Sequence, residues 1–352
     1  MDIYTTRYLL AAIKEITAAT TFLRDRYFPT NPTTDIFATS EVLVEYKDGN
    51  RKAAPFVAPR KGGVTILREG ATMERFTPAY IAPRRMLTLD DITKRGFGEA
   101  LMTNLTPEER AKVMVVGDMV ELDEMITRRE EAMAAEVLFT NACIMKYYAD
   151  DKGTYEENAV RYYDGVDNQA KYTPATKWNA DGANILDDIY AMAQILAKKG
   201  LPATDLIVGP DVASVIINDA KVQKLLDIRN YNLGDVDPTE GINGVSRLCV
   251  LNVFGKKISV YCYESTYENE AGEDVPFVPA GKVVLTAPAA GRTVYGAITQ
   301  IEQKDGEFHT YAEKRVPKYI ADSDTNTRKI GVASSPLCVP NHKNAWIVAE
   351  VL

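Results

Sequence analysis

Thr106-Pro107-Glu108-Glu109 opens the stretch that most constrains this chain. A threonine that can cap a helix, a proline at the first helical position and a glutamate at the third make a capping box with its favoured proline. Behind it Val115, Met119, Leu122, Ile126, Met133 and Val137 form one apolar stripe, interrupted by Arg129. Glu124 and Arg128 stand four apart, placed to pair on the outer face. The pattern predicts a single helix from 106 to about 147, roughly 60 Å long at ~1.5 Å per residue. Globular helices average only ~11–12 residues. Such a helix is a strut along which other elements must be laid.

Ahead of the strut the sequence changes grammar. Val42–Tyr46 reads as a strand running into a Lys47–Asn50 turn, a hairpin signal. Prolines at 55, 59, 78 and 83 keep the following segment extended and confine its strands to edges. From Arg51 to Arg85 there are eight Lys/Arg against two Glu, a net +6 in a chain whose formal charge is −8. A basic ribbon of this length needs something to cover it. The first 30 residues read as a short helical arm, with Leu9, Leu10, Ile13 and Ile16 at helical spacing before Pro29 and Pro32.

After the strut, residues 148–183 are polar and irregular and read as a connector. From about 180 to 310 the pattern alternates: a helix over Asn184–Lys199, a buried strand Asp205–Gly209, a helix from Pro210 and another over Lys221–Ile228, then strands at 248–254, 257–266 and a pair within 275–288. The segment Ser335–Leu352 reads as a hairpin whose final strand is held in a sheet.

The chemical inventory is thin. Two histidines, His309 and His342, leave no basis for a His-based triad or a multi-histidine metal site. No GxSxG, GxGxxG or Walker motif occurs. Asp322, Asp324 and Asn326 match the start of a calcium loop, but Thr327 and Ala333 stand where its glycine and glutamate belong, so a polar turn is expected. Cys143, Cys249, Cys262 and Cys338 are scattered and read as buried thiols. No run approaches the ~18 apolar residues of a membrane span, and the first residues lack the pattern of a secretory signal. The expectation is no catalytic residue, no metal and no cofactor.

These parts in this order resemble the Hong Kong 97-type phage capsid fold, an α+β architecture, and the sequence is similar to the major capsid protein E family of lambda-like tailed phages. The similar stretches are Met1–Ala12, Glu69–Arg84 with its Phe76-Thr77-Pro78-Ala79-Tyr80 core, Tyr263–Thr286, Ala312–Ile320 and Ser334–Pro340. The resemblance implies an N-terminal arm (1–40), an extended β-hairpin E-loop (41–95), a P-domain with the long spine helix and connector (96–180), an A-domain (181–310) and C-terminal return strands completing the P-domain (311–352). It implies a shell subunit of the virion, assembled in the bacterial cytoplasm. Its partners would be its own copies in hexamers and pentamers of an icosahedral shell, a separate scaffolding protein, a portal protein and a decoration protein. Packaged DNA would touch the inner surface nonspecifically, and no membrane is involved.

The resemblance also implies that the E-loop lies across a neighbouring subunit. The expected contacts are Arg60, Lys61, Ile66, Leu67, Arg68, Arg75, Phe76, Tyr80, Arg84 and Arg85 on the loop, against Asp118, Glu121, Asp123 and Glu124 on the neighbour's spine. The acid-rich run Glu264–Asp274 is a second candidate receptor, expected nearer the capsomer centre. Three other readings stand beside this one: an encapsulin-like compartment shell, a small α/β enzyme with a β-rich insertion, and a nucleic-acid binder using the basic segment. The acidic balance argues against the last.

Overall fold

The computed structural model describes residues 9, 13, 21–46, 72–88, 90–91, 106–148, 155–162, 170–227, 244–303, 305–324 and 326–352. The long helix runs Pro107–Thr140. Thr106 Oγ1 accepts from the Glu109 N–H at 3.3 Å while Glu109 Oε2 accepts from the Thr106 N–H at 2.9 Å, so the capping box forms as expected. The helix stops seven residues short of the expected end. Asn141 adopts a left-handed conformation (φ 58°) and its N–H donates to the Val137 carbonyl, the usual left-handed terminator. Ala142–Tyr148 then pairs antiparallel with Tyr155–Arg161, which places strand where the sequence suggested helix and connector.

The two halves of this helix have different surroundings. In the first half Ala111, Val115, Met119, Leu122 and Ile126 form one buried stripe against Leu87, Ile330 and Val332. The opposite side is solvent-facing, with Val113 and Val116 exposed. In the second half residues 130–135 and 137–139 are buried all round, as in a helix that runs through a core.

That core is roofed by a six-stranded sheet in the order Lys171–Tyr172, Ile347–Glu350, Lys282–Thr286, Asp205–Val208, Lys256–Tyr263, Val245–Val253. Successive side chains of a strand point to opposite faces. Leu206, Val208, Val260 and Leu285 therefore pack against the helices Ile185–Lys198, Pro210–Asn218 and Ala220–Asp227. Ile207, Tyr261, Tyr263 and Val284 pack on the other face, against the long helix and Phe22–Phe28. Covered on both sides, Asp205–Val208 is buried at every residue, as its unbroken apolar run predicts.

Two strand pairings differ from expectation. Pro336–Pro340 and Ile347–Glu350 do not form a hairpin: the first pairs with Gly291–Tyr295 and the second joins the six-stranded sheet. Asp274–Pro276 and Lys282–Thr286 likewise belong to different sheets. Apolar strands carry no mark of a partner so distant in sequence. The third layer is a small sheet, Val316–Asp322, Thr327–Ala333 and Arg84–Leu87, lying along the first half of the long helix. The Asp322–Asn326 near-match to a calcium loop is the turn between its first two strands, where Asp322 accepts from the Asp324 N–H.

Candidate assembly surfaces

The basic ribbon is anchored by Val42–Tyr46 paired antiparallel with Thr72–Phe76. The partner strand begins 26 residues on from Tyr46, and the expected Lys47–Asn50 turn lies outside the described residues. Val42 and Val44 are buried, and Phe76 packs edge-on against Tyr162 with ring centroids 5.5 Å apart. Leu43, Met73 and Arg75 face outward and are exposed, as is Tyr80 further on. Arg60, Lys61, Ile66, Leu67 and Arg68 lie outside the described residues.

The loop-to-spine pairing is present, but inside one subunit. Arg85 donates to Asp118 at 3.0 Å and pairs also with Glu121 on the next turn. The hydrogen bond that Arg85 donates to Asp118, with Glu121 beside it, raises the Arg85 pKa. Arg85, Asp118 and Glu121, expected to face a neighbour, are thus paired with one another within the subunit. Asp123 is buried and accepts from Arg315 Nε at 2.6 Å. Glu124 stays on the outer face and pairs with Arg128 at 3.4 Å, as its spacing predicts. Arg84 and Arg75 form no ion pair among the described residues.

Arg315 belongs to a buried network that the sequence reading missed. Its guanidinium also binds both oxygens of Glu130, and Arg24 Nη1 reaches Glu130 Oε2 at 2.7 Å. Burial pushes the Glu130 carboxyl up, but Arg315 and Arg24 outweigh it and hold it below the ordinary carboxylate range. Next to it Glu131 accepts from the N–H groups of Phe22, Leu23 and Arg24 at 3.1, 2.7 and 2.8 Å and from the Tyr263 hydroxyl at 3.0 Å. Burial raises its pKa in spite of these four donors. One pair of adjacent glutamates thus fastens the arm, the long helix, the small sheet and the large sheet together. Two consecutive glutamates in the apolar half of the strut were the available signal, since acids on a buried stretch need cationic or amide partners.

The acid-rich run is a short hairpin, Thr266–Glu268 with Asp274–Pro276, folded back onto the long helix through an Arg129–Glu270 pair. Tyr267 packs on Phe277 at its base. Glu136, near the helix end, accepts from the Ile144 N–H at 3.2 Å, and burial moves its pKa up to about 7. Cys143, Cys262 and Cys338 are buried free thiols as expected, while Cys249 is only half-buried.

An arm, an anchored ribbon, a strut helix and a sheet covered on both faces together define a phage-capsid shell subunit. A solved prophage protein of Escherichia coli CFT073, described as its capsid protein, superposes with a TM-score of 0.66 at 18% identity, covering 99% of each chain. A phage-related protein from Bordetella bronchiseptica RB50 gives a TM-score of 0.52 at 12% identity over 98% of this chain and 96% of its own. The family model for phage major capsid protein E matches residues 5–351, and the chain belongs to that family. Among relatives, the major capsid protein of Enterobacteria phage phi80 is 24% identical over 100% of both chains, and that of Escherichia phage lambda 23% identical over 96% of both.

Proposed function

We propose that this chain is the major capsid protein of a tailed phage, repeated many times to build an icosahedral shell of hexamers and pentamers around double-stranded DNA. The observation that carries the reading is the family match across residues 5–351. The role is structural rather than catalytic, and the phage family favours a virion over an encapsulin-like compartment. The division into arm (1–40), E-loop (41–95), P-domain (96–180), A-domain (181–310) and return strands (311–352) is part of this reading, with Ile347–Glu350 crossing over to the A-domain sheet.

In this reading the ribbon is the element that reaches a neighbour. Its outward residues Leu43, Met73, Arg75 and Tyr80 are exposed apolar and cationic groups that a second subunit can bury. Apolar burial supplies most of such an interface's energy, and charges supply registry. A scaffolding protein, a portal, a decoration protein and nonspecific contact with packaged DNA complete the set of partners proposed from the family. The test is the particle size of the purified full chain by sedimentation and negative-stain microscopy, with and without the product of its neighbouring scaffold gene. Rings, tubes or closed shells support the reading. A small species under both conditions overturns it.

A further inference from the structure

The small sheet has two unlike flanks. Cross-strand partners share a face, so one face carries the rows Arg84–Gly331–Lys318 and Met86–Lys329–Ile320. The other face carries Ile330, buried under the long helix. The outer face thus sets three cations around Met86 and Ile320, and none of the three has an ion pair among the described residues. Arg84–Leu87 is also an end strand of this sheet, with no further strand paired to it among the described residues. Gly331 is what lets the Arg84 side chain lie flat across it, since a Cβ there would come within 2.8 Å of Arg84 Cγ.

The opposite edge is covered. There the hairpin Ile298–Ile301 with Phe308–Tyr311 lies alongside, and the Gln303 amide bonds both the N–H and the carbonyl of Ala321 on strand Val316–Asp322. Ile298 and Tyr311 pack inward on Val316 and Ala333. The outward face holds Ile301 opposite Phe308, and Phe308 is 75% exposed. In sequence the adjoining loop Glu302–Glu307 carries three carboxylates and one lysine; Asp305 pairs with His309 at 2.8 Å and Glu302 accepts from the Tyr311 hydroxyl.

We propose that this hairpin tip docks on the outer face and end strand of the small sheet in a second copy of the chain. The inference rests on the shell-subunit reading and names the contact that reading left open once the spine acids proved to be satisfied internally. Charge and apolar character match: a negative tip bearing an aromatic meets a positive face bearing Met86 and Ile320. Knob and socket sit at opposite edges of one sheet, so the contact is head-to-tail and repeats from copy to copy, closing into a ring where the rotation allows. An end strand that has no further partner among the described residues is then covered in the assembly.

The test uses the full chain in four forms: wild type, Phe308→Ser, Lys329→Glu, and Lys329→Glu combined with Glu307→Lys. Each is checked for folding by circular dichroism and for particles by sedimentation. The expected result is a tenfold or greater loss of assembled material for Phe308→Ser and Lys329→Glu at equal concentration, with substantial recovery in the charge-swapped double variant. For variants too unstable to compare, Met86→Cys and Phe308→Cys chains are mixed and treated with a short bis-maleimide, and a covalent dimer that neither chain forms alone is expected. Particle yields unchanged in both single variants, or no covalent dimer from the mixture, overturn the contact while leaving the shell reading intact. Normal particles whose Lys329→Glu form loses only DNA retention overturn it too, assigning the face to nucleic acid. A wild-type chain that stays small sinks the shell reading and this contact with it.

Discussion

The guanidinium of Arg315 grips Glu130 with two prongs, Nη1 to Oε1 at 2.6 Å and Nη2 to Oε2 at 3.0 Å, between residues 185 apart in sequence. The Glu130 side chain is fully buried. Removing one partner of such a pair strands the other charge, at a cost of about 3–5 kcal/mol. Glu130→Gln is expected to lower the stability of the unassembled subunit by that order, read from urea unfolding. Replacing both residues by apolar side chains of similar volume is expected to cost much less.

The same pair sets an acid limit. Glu130 has its folded pKa depressed from an ordinary value of 4.5, so its contribution is fully present above that value and is lost as the pH falls through the folded one. Urea midpoints of the wild type are expected to fall more steeply below about pH 4.5 than those of Glu130→Gln. Parallel curves would show that other carboxylates govern acid unfolding.

Glu136 works in the opposite sense. Its folded pKa is raised to about 7 from 4.5, so the folded state holds a proton that the unfolded chain has released. Stability from this site is present below the unfolded value and is lost as the pH rises through 7. Lys146 on the adjoining strand and Arg129 on the helix moderate the shift, while Glu157 adds to it. Glu136→Gln is expected to flatten the stability profile between pH 5 and 8. A slope identical to the wild type's would refute the assignment.

Arg85 offers a test of whether a charge pair acts within or between subunits. Its bonds to Asp118 and Glu121 are exposed, and such pairs contribute about 0–1 kcal/mol. Arg85→Glu is expected to destabilise the unassembled subunit by no more than about 1 kcal/mol, and Asp118→Lys to restore part of that loss. Coupling seen only in assembled particles would move the pair to an interface.

Gly291 is a packing position. A Cβ there would lie 2.4 Å from the Phe28 ring and 2.7 Å from the Val339 carbonyl. Gly291→Ala is expected to cost about 1–3 kcal/mol through displacement of Phe28. Phe28→Leu in the same background should recover part of it, measured by thermal unfolding.

What could be read from the sequence was what is local. The capping box at Thr106, the buried run at Asp205 and the helix from Pro210 each carry their signal within a few residues. The end of the strut was misjudged because Met145 and Tyr147 continue an apolar pattern after Asn141 has turned the chain. Strand partners were misjudged where two apolar segments, Pro336–Pro340 and Ile347–Glu350, are near in sequence but separate in the fold. At the surfaces, charge arithmetic found an acidic spine and a basic ribbon, and the family resemblance joined them across subunits. It could not see that Arg315, one cation in an ordinary basic stretch, takes Asp123 and Glu130, or that Arg85 turns back onto its own helix.

Glu131 has a mechanical consequence. Its two oxygens are held by donors from the arm and from the large sheet, while its backbone belongs to the strut. Prising the arm or the large sheet from the strut strips donors from a buried carboxylate, three with the arm and one with the sheet. In the shell proposed above, such a subunit is expected to act as a stiff tile. A change in the shell's size or curvature is then expected to fall on the contacts between tiles, with the tile keeping its shape.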